Sequence, residues 1–303
     1  MERVRAHGGA LAVAFLLTSC SSRAPGPRIE PALARLTPSD TQLAAGLRLD
    51  VMRDAPAYRV LESAAPKGWV EEFGKRSGLD LRRDVTEVLV ASNGRDAVVL
   101  ARGRFDVPRL ESLMAESGAK RLPHGSRTLF GREDAAAVFF DGGTVAVGPA
   151  KTLRSIIDQP GGIPAPILAA LATLPPQSQA WLAATGVSQW FRLPGFNGEG
   201  ALNAENFNRV LGSLQTVTGA AELGASIDVR LTGDCATPDA ARTLHDALRG
   251  FLGMGRLATS ADKADLLRLF DAVAITKQDR TVRVSALIPA DLVEKLPAIA
   301  RGR

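Results

Sequence analysis

The sequence predicts an α+β fold: antiparallel β-hairpins interleaved with amphipathic helices, with one such unit duplicated in tandem. Three observations lead there. Apolar runs of strand length come in pairs around turn residues, as in "VTEVLVASNGRDAVVLARG" at 85–103, the mark of a hairpin. Segments with helical spacing and clear stop residues lie between the pairs, as in "RFDVPRLESLMAESG" at 104–118. The same order of elements then returns in the second half of the chain. Helices alternating with antiparallel pairs are expected to cover one face of a sheet. No strand–turn–helix run with a nucleotide-type glycine turn points to a doubly wound sheet.

The chain opens differently from the rest. Arg3 and Arg5 precede an uncharged, largely apolar run from Gly8 to Leu17, followed by Leu17-Thr18-Ser19-Cys20. A basic start, a short apolar stretch and small residues before a cut are the layout of a secretory signal. The stretch falls short of the roughly 20 apolar residues a spanning helix needs. Leu17-Thr18-Ser19-Cys20 resembles the lipobox of bacterial lipoproteins. The resemblance implies cleavage between Ser19 and Cys20, diacylglycerol on the Cys20 sulfur and acylation of the new amino terminus. Two acyl signals make a stable anchor. Ser21 and Ser22, with no Asp, resemble the pattern of lipoproteins sent on to the outer membrane, which implies an envelope location facing the periplasm. "SSRAPGPRIEP" follows, with prolines at 25, 27 and 31; such a composition makes a semi-rigid spacer. The expected organisation is a signal over 1–19, the lipidated cysteine and Pro-rich tether over 20–34, and α+β repeats over 35–160 and 166–303.

In the first repeat, Asn93-Gly94 supplies the positive φ angles of a tight turn between Val85–Ala91 and Ala97–Ala101. Asp106 caps the next helix, Pro108 sits in its first turn and Gly118 stops it. A second hairpin, "AAAVFFDGGTVAVG" at 135–148, turns at Asp141-Gly142-Gly143, and "AKTLRSIID" makes a short helix before the breaker-rich 159–166. In the second repeat, "LPPQSQAWLAATG" at 174–186 echoes "LTPSDTQLAAGLRLD" at 36–50. Helices are expected around 55–64 and again around 204–214. Strand pairs follow at 216–223 with 225–231, and at 272–288 turning near Asp279-Arg280, with a helix starting near Pro238 between them. "ADLVEKLPAIA" closes this half as "AKTLRSIID" closes the first. The Leu-x-Pro starts, "GLDLRRDVTEVLVA" at 78–91 and the "GRFD" helix entry at 103–106 resemble exported bacterial proteins of unknown function; the resemblance implies no activity.

Composition narrows the function. An apolar fraction of 46% and a net charge of +5 over 303 residues describe an ordinary globular chain, and the slight basic excess of an exported protein disfavours nucleic acid. Beyond Cys20 the only cysteine is Cys235, so no intramolecular disulfide is available; a lone cysteine ending the alternating run Ile227–Leu231 reads as a small buried hydrophobe.

Chemistry is sparse. His124, in the expected loop "LPHGSR", and His245, on the helix after Pro238, lack metal-ligand spacing, so no metal or cofactor is expected. Ser-x-x-Lys occurs at Ser117–Lys120 and Ser260–Lys263. Gly118 interrupts the first, Ser260 reads as an N-cap, and the partner motifs of penicillin-binding enzymes are missing. Gly253-Met254-Gly255 follows a helix, not a strand, which denies it a phosphate cradle. No catalytic set assembles.

Two surface features remain. Arg242, Arg249 and Arg256 recur every seventh residue and form a stripe opposite Leu244, Leu248 and Phe251; the stripe either meets anionic headgroups or an acidic partner, or is a solvated helix face. Trp190, Phe191 and Phe196 crowd "SQWFRLPGFNGEG" at 188–200, a loop that docks on a partner, covers a pocket or seals the junction between halves. The resulting expectation is a membrane-anchored envelope lipoprotein acting as a non-catalytic binding or scaffolding module, with an envelope protein as a partner. The alternative is a carrier of an apolar or envelope-derived small molecule held between the halves.

Overall fold

A computed structural model describes residues 26–64, 68–187 and 211–300. Among these residues, twelve strands form one antiparallel sheet. The first half contributes β1 (Leu43–Arg48), β2 (Val85–Ser92), β3 (Ala97–Gly103), β4 (Lys120–His124), β5 (Arg127–Gly131), β6 (Ala136–Asp141) and β7 (Thr144–Gly148). The second contributes β8 (Ala180–Thr185), β9 (Leu214–Leu223), β10 (Ile227–Cys235), β11 (Val273–Gln278) and β12 (Thr281–Ile288). From the centre outward the order is β1-β2-β3-β7-β6-β5-β4 on one side and β8-β9-β10-β12-β11 on the other. Up to the fifth strand the two orders match, and the β4–β5 hairpin is an addition to the first half.

The halves meet where β1 pairs antiparallel with β8, Leu43 opposite Ala184 and Gly46 opposite Trp181. Laying Leu36-Thr37-Pro38 on Leu174-Pro175-Pro176 places Leu43 on Trp181 and Gly46 on Ala184, so these two pairs are images of each other. The seam is a pseudo-twofold. A close approach marks it: a Cβ on Gly46 would stand 2.3 Å from two ring carbons of Trp181.

Helices cover both faces, which corrects the expectation of one covered face. The back face buries Leu89 on β2, Leu100 on β3, Val138 on β6 and Trp181 on β8. They lie under α1 (Pro31–Arg35), α7 (Ala150–Asp158) and α8 (Ala165–Leu171). The front face carries α2 (Leu49–Met52), α3 (Pro56–Ala64), α4 (Gly68–Ser77), α5 (Leu81–Asp84), α6 (Val107–Glu116), α9 (Pro238–Leu257), α11 (Ala290–Val293) and α12 (Leu296–Ala300), with α10 (Ala264–Asp271) packed against α9. The physical reason is that the central strands are apolar on both sides, and a sheet with two apolar faces needs two covers. Toward the outer strands of the second half the back face turns polar: β10 and β12 show Asp228, Arg230, Thr232, Arg283 and Ser285 there.

Local chemistry explains the ends. Asp106 accepts the Arg109 N–H at 3.2 Å to cap α6, and Gly118, at φ +83°, follows its C-cap. Thr237 caps α9 through the Ala240 N–H at 3.1 Å. Three expectations need correcting. The Asn-Gly connection is a four-residue loop, 93–96, in which only Gly94 has positive φ while the Asn93 side chain accepts the Arg95 and Asp96 N–H groups. Ser260 is not a cap: its carbonyl accepts the Lys263 N–H in a turn, and α10 begins three residues later than that reading, after Lys263. His124 ends a strand rather than lying in a loop, because Gly125, at φ +56°, closes a tight turn into β5.

Candidate functional site

Front-face side chains of the central strands build the site. Cross-strand register aligns Val99, Val90, Ala45, Leu182, Gly219 and Leu231 in one row across β3, β2, β1, β8, β9 and β10. Val147 on β7 extends it. A second row holds Val88, Leu47, Ala180, Ala221 and Val229. Seven strands at about 4.8 Å spacing make the first row about 29 Å long.

Among the described residues, helices cover the sheet around these rows without closing over them. α9 packs on Ala184, Val217, Cys235 and Val282. α3 and its neighbours pack on Leu223 and Ile227. α6 and the residues around α5 pack on Val88, Ala101, Phe139 and Val145. Between them runs an apolar trough with a volume of about 350 Å³ at the seam, lined by Ala45, Leu47, Val88, Val90, Leu182 and Leu231 among others, with no charged side chain. That volume is at the lower end of the ~300–1,000 Å³ typical of ligand sites. Small residues keep its floor low: a Cβ on Gly219 would meet Leu231 Cδ2 at 2.6 Å and Leu182 Cγ at 3.1 Å. Leu47, Val99, Val147 and Leu231 are each about 40% exposed (42, 39, 44 and 40%), a large apolar surface to leave in water.

The sequence-predicted residues lie elsewhere. Arg242 pairs with Asp239 at 3.5 Å and Arg256 pairs with Asp271, so two of the three stripe arginines are neutralised and the stripe presents no concentrated positive field; Arg249 is exposed. Ser19, Cys20, Trp190, Phe191 and Phe196 lie outside the described residues, as do residues 204–210 of the helix expected at 204–214, whose last residue, Leu214, instead begins β9. His124 pairs with Asp158 and His245 with Asp246, each at 2.8 Å. Ser117 donates to the Met114 carbonyl. Gly253 and Gly255 are inside α9. Cys235 is 1% exposed, and burial pushes its thiol pKa up against a hydrogen bond with Ser213. Among the described residues no three His, Cys, Asp or Glu side chains form a group able to hold a metal ion, and no helix is long and apolar enough to cross a membrane.

The trough residues were missed by motif reading, yet a signal exists. "VLVA" at 88–91 and "AWLAA" at 180–184 are apolar at every position, whereas a half-exposed strand alternates. The excess apolar positions are the trough.

The fold, a single open sheet of two like halves with helices on both sides, has a likeness among solved structures. No protein-family model matches the chain, and no curated protein matches it. A structure described as crystal form III of TP0453 is similar over 91% of this chain and 99% of that one, with a TM-score of 0.52 at 10% identity. Crystal form I of TP0453 covers 89% and 96%, with a TM-score of 0.46 at 10% identity. At this identity the likeness to crystal form III shows the fold alone.

Proposed function

We propose that this protein is a lipid-anchored envelope lipoprotein, placed at the outer membrane and facing the periplasm, whose folded part is a non-catalytic binding module for an apolar small molecule. The observation that carries the reading is the trough: a concave site at the junction of the halves, lined by aliphatic side chains and no charge. A site of that composition rewards burial of hydrocarbon and offers no group to act as acid, base or nucleophile.

The test is binding of a fluorescent fatty acid to the folded part, for wild type and for Leu231→Glu. Leu231 is 40% exposed at the edge of the floor, so the substitution is expected to spare the fold while setting a carboxylate against the ligand. Such a charge should weaken binding by about tenfold or more. No binding by wild type, or equal binding by the variant, refutes the reading. The anchor has its own test: Cys20→Ala should abolish acyl labelling and leave the protein unprocessed or released from its anchor, and full retention of label would refute the assignment of Cys20.

A further inference from the structure

The point where the tether joins the fold determines which way the trough can look. Gly26 and Pro27 are buried. Gly26, at φ +94°, lies so close to α8 that a Cβ would stand 2.5 Å from the Leu171 carbonyl oxygen. The chain stays on the back face from there: the Glu30 N–H donates to the Glu87 carboxylate at 3.0 Å, and Leu33 and Leu36 enter the back core beside Leu171 and Ile167. The tether therefore meets the body on the back, near α8, and α8 packs on β8 and β9, directly behind the trough.

Six peptide links from Cys20 to Gly26 span at most about 20 Å. The trough lies on the far side of a helix layer about 10 Å thick and of the sheet itself. A chain led around the strand ends to the front would need more length than those links have. The surface beside the tether fits a bilayer instead. Residues 159–187 contain no Asp, Glu, Lys or Arg, and α8 turns Ala165, Pro166, Leu168 and Ala169 outward, Leu168 being 49% exposed. This charge-free stretch can rest against lipid without desolvating an ion, while the exposed Arg28 and Arg35 beside the tether suit anionic headgroups.

We propose that the trough opens away from the leaflet holding the Cys20 anchor, and that it exchanges its apolar occupant with a water-borne partner protein rather than with that leaflet. The proposal rests on the Cys20 anchor and the apolar ligand of the preceding section. The partner is a carrier presenting a hydrocarbon chain, because the trough has no charge to recognise a headgroup and faces the aqueous side.

The experiment uses full-length lipidated protein in phosphatidylethanolamine–phosphatidylglycerol vesicles containing a nitroxide-bearing lipid. A fluorophore is placed at Ala169→Cys or at Leu231→Cys, each in a Cys235→Ala background. The Ala169 probe should be quenched several-fold more than the Leu231 probe; equal quenching, or the reverse, overturns the orientation. In a second arm the protein is loaded with a fluorescent fatty acid. Transfer to albumin in solution should outpace transfer to the protein's own vesicles, and faster loss to those vesicles overturns the route of exchange. A protein that binds no fatty acid in solution removes the ligand reading and the exchange with it, while the quenching contrast still decides which face meets the membrane.

Discussion

Replacing Gly46 by alanine tests the seam with a single methyl group. The added Cβ would stand 2.3 Å from Trp181 Cε2 and Cζ2 and 2.7 Å from Nε1, distances no real contact tolerates, so either the indole or the strand must move. Neither is free. Trp181 is 3% exposed, packed in the back core with Leu33, Leu171 and Ala220, and β1 is paired on both sides. Overpacking a close-packed site costs about 1–3 kcal/mol, and with both partners held the upper end applies. At about 2–4 °C per kcal/mol for a large domain, Gly46→Ala should lower Tm by about 6–12 °C. The decisive assay is a double-mutant cycle by urea unfolding with Trp181→Leu. Leucine is destabilising by itself because it leaves a cavity, but it makes room for the methyl. Against that background Gly46→Ala should cost under about 1 kcal/mol, a coupling of about 2 kcal/mol. Additive losses would show that the glycine is needed for some reason other than the indole and would refute the packing argument.

Two other substitutions probe local claims. Burial raises the pKa of Glu87 above its ordinary 4.5, with the Glu30 N–H and Arg48 pulling the other way, so the folded state holds this proton more tightly than the unfolded chain. Stability from this group is therefore greatest at low pH and falls as pH rises from about 4.5 until the folded carboxyl has also ionised. Glu87→Gln should flatten that decline and match wild type at acid pH, and an unchanged stability–pH profile would count against it. Asp106→Ala removes the cap of α6 and should cost about 1 kcal/mol in urea unfolding; a loss near zero would mean the cap adds nothing.

What could be read from the sequence follows from how local each device is. Asp106, Pro108 and Gly118 act within one helix, so that helix was legible almost to the residue, and so was "AKTLRSIID". The hairpin at Asp279 was legible too, because its turn residue sits between two short apolar runs. Ser260 misled because a serine before an acidic residue looks alike in a cap and in a turn. The β4–β5 hairpin was hidden by Pro123, which argues against a strand but is tolerated here on the sheet's last strand. The candidate site was the least legible part. Ala45, Leu182, Gly219 and Leu231 are far apart in sequence and ordinary in type, and only register brings them into a row. Motif reading favours unusual residues, and so it turned to Arg242, Arg249 and Arg256, whose charges are partly cancelled by neighbouring aspartates.

The seam also dictates an order of assembly. A chain made from its amino terminus presents β1 and β2 long before β8 exists. Until β8 arrives, β1 is an open edge with Gly46 at its middle, where no side chain guards it, the kind of edge that invites pairing with another chain. Trp181 supplies the missing bulk from the second half. The first half therefore passes through a stage with a bare notch and an unpaired strand edge, which makes this the interval when a chaperone contact or a misplaced strand from another copy would matter most.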